Sequence, residues 1–473
     1  MHPPCVAYLE AVKPSLSELN PLATAPRSPD YAATRTARRA YGHHRLPPPG
    51  FLWFRLVRGA TQALCKPPTS AQNRPPHNVL LSLGYWQLCT TCIQPALSDL
   101  RLILSRLVAP DMTTTERAAK EHASEGIGLS LFDVFAGAGG LSMGLQAAGL
   151  EPVGAVEVMD DAAKTYEALH DIEVDRRRLE DIPERELRAL RGSVSVVAGG
   201  PPCQPWSTGG LRRGEEDERD GFTAMFRALD LIRPEAFVIE NVAGLEQGRT
   251  RPYFESLLEV LTEELGYYVR SKTLDAADYG VPQHRLRLFV VGMRKRGFKF
   301  PRPTHGSKTS KPWVTAGDIL GDEPLGELNS SIVTYAKKPH LRPSPYDGLL
   351  FNGGGRPINL AAPARTILAS AGGNKTPFVD TLGVVPGYHR ELWEHHKEHG
   401  IVGLKQKIRK GLVPGARRIT VAESAALQSF LPTTKFSGTR STQYTLVGNA
   451  VPPRLAQAVG RELCAALVRL SRA

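Results

Sequence analysis

The chain has 473 residues, of which 41% are hydrophobic, and it carries a formal net charge of +12 at pH 7. It contains no run of about 18 apolar residues, which argues against a membrane span, and its 6 cysteines are too sparse for a disulfide framework. These values predict a cytoplasmic globular protein with room for roughly two or three domains, and they are compatible with a polyanionic partner.

The N-terminal segment, residues 1–125, is rich in proline and arginine and shows little hydrophobic periodicity. This composition predicts a poorly ordered extension, because such a segment buries too little apolar surface to form a core. Met112 opens a polar stretch suited to a true start, so residues 1–111 are expected to be a translated upstream extension or a non-specific DNA-binding tail. Cys89 and Cys92 have the spacing of a zinc-binding pair, but no second pair accompanies them, and we predict no metal site.

The first chemical signal is a strand that runs into a glycine turn. The sequence LSLFDVF precedes AGAGGLSMG, a pattern typical of the first strand, turn and helix of a nucleotide-binding α/β unit. Glu157 follows the next apolar run and lies 20 residues after Gly137, the separation at which an acid reaches the hydroxyls of a ribose. Ser142 stands where a dinucleotide fingerprint needs its third glycine, which weakens an NAD hypothesis.

A cysteine follows another apolar strand. Cys203 stands in GGPPCQPWS, directly after the run VSVVA, at the end of the strand where open α/β sheets place their ligand crevice. A solitary cysteine is usually an inert small hydrophobic residue, but such a residue needs no rigid frame of prolines. The frame therefore indicates a nucleophile.

Two more polar elements are associated with predicted strands. Glu240 follows the run FVI, and burial there would raise its pKa and allow it to donate a proton near neutral pH. In QHRLRLFVVG, charged and apolar residues alternate, which predicts that Arg285 and Arg287 share one face of a strand. Position alone is also compatible with Glu240 as a solvated or capping residue, and with Arg285 and Arg287 on the solvated face of an edge strand.

These motifs resemble those of the DNA (cytosine-5)-methyltransferases, and two C-terminal segments, 417–430 and 443–453, complete the family's order. Thr420 and Glu423 have the spacing of a capping box that opens a helix. The resemblance implies an α/β fold with a Rossmann-like, S-adenosylmethionine-dependent methyltransferase domain and a smaller, irregular target-recognition domain. The expected boundaries are 126–295 for the catalytic domain, 296–416 for the recognition domain and 417–473 for a C-terminal part that returns to the catalytic domain.

The resemblance also implies a role for each motif. Cys203 would attack C6 of a cytosine flipped out of duplex DNA, Glu240 would protonate N3, and Arg285 and Arg287 would belong to the active-site wall. The methyl group would pass from S-adenosylmethionine to C5. The implied cofactor contacts are Phe135, Gly137, Gly139, Gly140, Leu141, Glu157, Asp181, Asn449 and Ala450, with Asp181 or its neighbour Glu180 as the acid that contacts adenine.

Double-stranded DNA is the partner that the resemblance implies, for a monomer located in the cytoplasm with the nucleoid. In a bacterial restriction–modification system, a cognate restriction endonuclease would act separately on the same site. Two basic clusters predict phosphate contacts. They are Arg294, Lys295, Arg296, Lys299 and Arg302, and Lys405, Lys407, Arg409, Lys410, Arg417 and Arg418.

Two alternatives use the same sequence features. An RNA (tRNA) cytosine-5 methyltransferase of the same fold would use the same residues, although a long recognition segment favours duplex DNA. A catalytically silent DNA-binding homologue is the alternative that is not an enzyme, and the presence of every chemical residue argues against it.

Overall fold

The computed structural model describes residues 128–202, 221–309, 311–321, 323–403 and 407–472. The predicted N-terminal extension, with its pair Cys89 and Cys92, lies outside the described residues, and so does Cys203. No helix in the described part of the chain is long and apolar enough to cross a membrane.

A seven-stranded sheet forms the centre of the molecule. Its strands are β1 (Leu129–Val134), β2 (Leu150–Val156), β3 (Val174–Asp175), β4 (Val196–Gly199), β5 (Ala236–Val242), β6 (Tyr268–Asp275) and β7 (Leu286–Met293). They lie in the order β3-β2-β1-β4-β5-β7-β6, and every pair from β3 to β5 is parallel. β7 runs antiparallel to both of its neighbours. The predicted α/β, Rossmann-like fold is confirmed.

Helices cover both faces of this sheet, which explains why its central strands read as nearly continuous apolar runs. The helices of the sheet region are α1 (Gly140–Gln146), α2 (Asp160–His170), α3 (Glu184–Ala189), α4 (Phe222–Ile232) and α5 (Arg251–Glu259). One buried cluster joins α3, α4 and α5 to one face, and a second joins α1 to the other face. Side chains of β4 and β5 alternate between the two clusters, as the period of a strand requires.

The region after β7 has little regular structure. Its described residues form two small antiparallel sheets, β8 (Tyr335–His340) with β9 (Leu349–Phe351) and β10 (Phe378–Asp380) with β11 (Ala416–Arg418), and the helical segment α6 (Val384–Gly403), which is kinked at Gly400. An aromatic core that includes Phe351, Phe378 and Tyr388 holds α6 against these strands. We call this part of the chain, residues 296–416, the recognition region.

Three helices end the chain, α7 (Val421–Leu427), α8 (Arg440–Asn449) and α9 (Pro453–Ser471). The predicted capping box is confirmed, since Thr420 Oγ1 accepts from the Glu423 amide at 3.0 Å and Glu423 Oε2 accepts from the Thr420 amide at 2.9 Å. α9 buries its apolar stripe against α1 and the sheet, as its helical spacing predicts. At Gly144, a Cβ atom would lie 2.3 Å from the Pro453 carbonyl oxygen, so only glycine permits this close approach of the two helices.

The strand order reverses between β1 and β4, and open α/β sheets bind their ligands outside the carboxyl ends of the strands at such a reversal. The fold therefore directs attention to the loops that follow β1, β2, β4 and β5.

Candidate active site

A cavity of about 540 Å³ opens at these carboxyl ends. Most of the predicted site residues of the described chain line it. They are Phe135, Gly137, Gly140, Leu141, Glu157, Glu240, Arg287, Asn449 and Ala450. Of the other predicted residues, Gly139, Asp181 and Arg285 are described but do not line the cavity.

The turn after β1 has an unusual backbone. Phe135 has a φ angle of 56°, a left-handed conformation that is uncommon for a bulky residue and that concentrates at functional sites. Gly139 follows with a φ angle of 83°, where glycine is the residue of lowest cost. This sharp turn places successive main-chain groups of the turn along the cavity.

Glu157 stabilises the same turn from the neighbouring strand. Its Oε2 accepts a hydrogen bond from the Gly137 amide at 2.8 Å, and its Oε1 accepts one from the Met159 amide, also at 2.8 Å. Each carboxylate oxygen can accept more than one hydrogen bond, so the side chain can still accept from a pair of ligand hydroxyls. Glu157 thus shapes the turn and presents an acceptor to the cavity.

The loop after β4 is anchored at both ends. Asn241 Nδ2 donates to the Pro201 carbonyl at 3.0 Å, and the Gly221 amide donates to the Pro202 carbonyl at 3.1 Å. Pro202, which precedes Cys203 in the sequence, lines the cavity. In the sequence, the predicted nucleophile therefore follows directly on a residue that lines the cavity and is bonded to the Gly221 amide.

Glu240 and Arg287 form an ion pair within the cavity wall. Arg287 Nε lies 2.7 Å from Glu240 Oε1, and both side chains are largely buried. Burial raises the pKa of Glu240, while the charges of Arg287 and Arg285 oppose that increase. A buried carboxyl with a raised pKa, next to an arginine that fixes its position, is suited to donating a proton to a ligand.

Arg285 is not where the sequence pattern places it. β7 begins at Leu286, and Arg285 lies before it, fully buried under other segments. Its guanidinium donates to the carbonyls of Ile367 at 3.0 Å, Gly448 at 2.6 Å and Ala450 at 3.0 Å. Of the two arginines predicted for the active-site wall, Arg287 lines the cavity, whereas Arg285 does not and holds main-chain carbonyls through Nη1 and Nη2.

Asp181 is exposed at the end of a short 3-10 turn and does not line the cavity as the chain stands without a ligand. Its contact with adenine stays a prediction. Asp175, at the carboxyl end of β3, accepts from the Glu157 amide through its main-chain carbonyl at 2.9 Å, and its carboxylate accepts from Arg177.

Asp133 is a cavity residue that the sequence analysis did not select. It is almost completely buried, and burial raises its pKa to about 7 against the opposing hydrogen bond from Ser142. The available signal was an acidic residue inside the otherwise apolar strand LSLFDV.

The basic clusters do not converge on the cavity. Arg294 stacks over the ring of Tyr267 at 4.1 Å, and its amide donates to the Glu235 carbonyl at the start of β5. Five residues of strand, or about 16 Å, separate that position from Glu240. The antiparallel direction of β7 explains this outcome, because the chain after Gly292 leaves the sheet next to the start of β5, at the end opposite the cavity.

Three arginines of the second basic cluster have partners within the protein. Arg409 pairs with Glu391, and Arg417 pairs with Glu423. Arg418 is fully buried and donates to the Thr376 carbonyl at 2.6 Å. Lys405 lies outside the described residues. Contact of the two clusters with phosphate groups stays a prediction.

The chain is similar to known DNA methyltransferases in sequence. The family model for C-5 cytosine-specific DNA methylase matches residues 129–465. The type II methyltransferase M.AplI of Arthrospira platensis is 32% identical over 352 residues, which cover 71% of this chain and 85% of the relative. The type II methyltransferase M1.HphI of Haemophilus parahaemolyticus is 31% identical over 395 residues, 80% of this chain and 93% of the relative.

Among solved structures, the Entamoeba histolytica methyltransferase EhMeth is similar to 72% of this chain and 99% of its own, with a TM-score of 0.52 and 16% identity. The S. pombe Dnmt2 methyltransferase has a TM-score of 0.50 and 16% identity over 72% of this chain and 99% of its own. At this level of identity the likeness concerns the fold alone.

Proposed function

Because the chain belongs to the C-5 cytosine-specific DNA methylase family and is a DNA cytosine-5 methyltransferase, we propose that it methylates C5 of a cytosine flipped out of a specific duplex DNA sequence. The methyl donor is S-adenosylmethionine, and the intermediate is a covalent adduct between Cys203 and C6. The observation that carries this proposal is the buried pair of Glu240 and Arg287 in the wall of a cavity that also contains Glu157 and Pro202.

The residues of the cavity fit the cofactor. Glu157 presents a carboxylate at the position where a ribose diol needs an acceptor, and the exposed side chains of Val158 and Met159 supply apolar walls beside it. When bound, S-adenosylmethionine supplies an electrophilic methyl group on its sulfonium. Asn449 and Ala450 border the same cavity from the C-terminal side. Asp181, or its neighbour Glu180, is our candidate for the acid that contacts adenine.

The protein's own residues activate the cytosine. Cys203, as the thiolate, forms a bond to C6, and the electron pair of the C5–C6 double bond moves toward C5 as N3 takes a proton from Glu240. C5 then forms its bond to the methyl group, whose bond to the sulfur of the donor breaks. Loss of the C5 proton to a base restores the double bond and expels the Cys203 thiolate, and the N3 proton returns to Glu240. Arg287 holds Glu240 in place and stabilises it after it has given up its proton.

Arg285 acts on the site indirectly in this proposal. The two carbonyls that it holds, those of Gly448 and Ala450, flank Asn449, which borders the cavity. Its third partner, Ile367, belongs to the recognition region. We therefore assign Arg285 as a positioning residue that ties both segments to the catalytic sheet.

The target cytosine lies in duplex DNA, so the protein must turn it out of the base stack at a cost of a few kcal/mol. The recognition region is our candidate for the part that reads the sequence, within the predicted division at 126–295, 296–416 and 417–473. The names of the relatives support a bacterial restriction–modification setting, with a cognate restriction endonuclease acting separately on the same site. We further propose a monomer in the cytoplasm.

Cys203→Ala tests the proposed chemistry. The variant is expected to transfer less than about 1% of the labelled methyl groups that the unmodified protein transfers to plasmid DNA, because the nucleophile is missing while the contacts to phosphate remain. Its affinity for DNA should stay within about threefold. Trapping on 5-fluorocytosine DNA should capture the unmodified protein and not the variant.

The same assay separates the alternatives. Transfer to tRNA in place of plasmid DNA would support the RNA methyltransferase, and DNA binding without any transfer by the unmodified protein would support a silent homologue. Bisulfite sequencing of DNA from an expressing host would then identify the methylated sequence.

A further inference from the structure

His170 is a buried histidine that the proposed chemistry does not use. It is the last residue of α2, it is 8% exposed, and its ring packs against that of Tyr166 with the centroids 4.3 Å apart. Its Nε2 lies 3.3 Å from the Gly139 carbonyl oxygen, and its Nδ1 lies 3.1 Å from Gln146 Oε1. Both ring nitrogens therefore contact the segment that runs from the glycine turn through α1.

Gly139 stands at the point where the turn becomes a helix. It is the N-cap residue of α1, and its carbonyl accepts the first hydrogen bond of the helix, from the Met143 amide at 2.8 Å. A carbonyl oxygen has two lone pairs, so this one can also accept from His170. A Cβ atom at Gly139 would lie 2.8 Å from His170 Nε2, which shows that the imidazole fills the space behind the turn.

The two sides of the turn have different surroundings. Gly137 and Gly140 line the cavity, whereas Gly139 does not, and its carbonyl contacts His170. On the cavity side, Glu157 accepts from the Gly137 amide. His170 thus supports from behind the turn that Glu157 supports from the front. Because glycine is conformationally permissive, a turn rich in glycine depends on such contacts to keep a single conformation.

The partners of the His170 ring determine which nitrogen carries the proton. Burial lowers the pKa of His170 against the opposing hydrogen bond to the Gly139 main chain, so the ring is neutral at and above pH 7. A carbonyl can only accept, so the proton belongs on Nε2. Nδ1 then holds a lone pair, and the side-chain amide of Gln146 can turn its NH2 group toward that lone pair.

We propose that His170 is a positioning residue for the cofactor, which donates from Nε2 to the Gly139 carbonyl and holds the glycine turn in the conformation that binds S-adenosylmethionine. This assignment rests on the proposed function, because it presupposes the cofactor in this cavity. His170 does not line the cavity, so it acts through the turn and not on the reacting atoms. Loss of its hydrogen bond should therefore weaken cofactor binding and leave kcat at saturation nearly unchanged.

Two amide side chains of different length separate the roles of the two ring nitrogens. The amide nitrogen of glutamine can take the place of Nε2, whereas that of asparagine reaches only the place of Nδ1. Calorimetry on the full-length protein without DNA measures the Kd of S-adenosylhomocysteine. His170→Gln should keep this Kd within about twofold, and His170→Asn should raise it about five- to tenfold, the value of one hydrogen bond. In labelled-methyl transfer by His170→Asn, the KM for S-adenosylmethionine should rise by the same factor while kcat stays within about twofold.

His389 is the matched control in the recognition region. It is 7% exposed, its Nε2 lies 2.7 Å from the Arg342 carbonyl oxygen, and its ring stacks on that of Trp393 with the centroids 5.6 Å apart. His389→Gln and His389→Asn repeat the comparison at a histidine of similar burial and bonding. Urea denaturation should show a loss of stability in both asparagine variants, whereas only His170→Asn should bind S-adenosylhomocysteine more weakly.

The ring of His170 in the unmodified protein provides a second readout, which remains available if His170→Asn does not fold. Nitrogen-15 NMR of protein labelled at histidine should show one ring in the Nε2–H tautomer whose signal is absent from His170→Gln. That signal should shift when S-adenosylhomocysteine binds. The Nδ1–H tautomer for this ring would overturn the assignment, because Nε2 would then have no proton to donate.

Three binding results would also overturn the assignment. They are an unchanged Kd in His170→Asn, an equal loss in His170→Gln and His170→Asn, which would show that the ring acts by packing, and an equal loss in His389→Asn. Failure of the unmodified protein to bind S-adenosylhomocysteine would instead overturn the proposed function and this assignment with it.

Discussion

The catalytic sheet and the recognition region position their residues by different means. In the sheet, parallel strands satisfy one another's main-chain groups and bring their carboxyl ends to one edge, where Glu157 and Glu240 lie. Among its described residues, the recognition region takes part in two small sheets, so many of its carbonyls need other donors. Arg418, fully buried at the end of β11 and just beyond this region, donates to the carbonyls of Thr376 at 2.6 Å and Asn352 at 2.9 Å.

Arg285 performs the same task where the two regions meet. Both arginines are buried without a described carboxylate in hydrogen-bond contact, and burial lowers the pKa of each guanidinium. Main-chain carbonyls supply the compensating interactions. Main-chain groups inside strands and helices thus largely satisfy one another, whereas irregular segments depend on a few buried donors.

The largest effect is expected from a substitution that removes the proton donor of the active site and leaves the geometry of the sheet unchanged. Glu240→Gln keeps the size of the side chain and removes the proton that it donates, so kcat should fall by about 10²–10⁴-fold, with cofactor affinity unchanged. Labelled-methyl transfer under saturating conditions measures this. Glu157→Gln is the matched change at the cofactor end, and it should raise the KM for S-adenosylmethionine while kcat largely recovers at saturation.

A pair of lysine substitutions compares the two buried arginines. Arg285→Lys and Arg418→Lys each replace several donors by one ammonium group and should each cost about 1–3 kcal/mol of stability, measured by urea denaturation. Only Arg285→Lys should also weaken the binding of S-adenosylhomocysteine in the absence of DNA, by about tenfold, because two of the carbonyls that Arg285 holds flank Asn449. An equal effect of Arg418→Lys on cofactor affinity would contradict the positioning role.

Exchange of the recognition region tests whether base recognition and methyl transfer depend on separate parts of the chain. Grafting a different segment between Met293 and Ala416 should change the methylated sequence, read by bisulfite sequencing, while kcat stays within about tenfold, because base readout and methyl transfer use separate residues. A folded chimera that keeps the parent sequence would place recognition elsewhere in the chain.

The smallest effect is expected at the N-terminus. A protein that starts at Met112 should fold and methylate the same sequence, with at most a weaker, salt-sensitive affinity for DNA from the loss of basic residues. Salt titration of DNA binding measures the difference. An insoluble or inactive truncated protein would assign residues 1–111 to the folded enzyme.

The sequence by itself determined which site residues lie in a strand or directly follow its end. Glu157, Glu240 and Arg287 line the cavity because the loops and strand ends of the sheet region meet at one edge, and a local pattern of apolar residues is enough to identify such a strand. The capping box at Thr420 is likewise a matter of residues only three apart. The spacing of residues in the sequence is enough to predict a structural feature whose interacting residues are close together in the chain.

Only the tertiary structure decided the partners of Arg285, which lie 82 to 165 residues away in the chain. It also decided that Arg294 lies at the end of the sheet opposite the cavity, because the direction of β7 depends on its neighbours in the sheet. Asp133 was hidden for the same reason, because whether a buried carboxylate has a partner depends on which segments fold over it. A sequence pattern records that a side chain is buried, but long-range packing determines what it meets there.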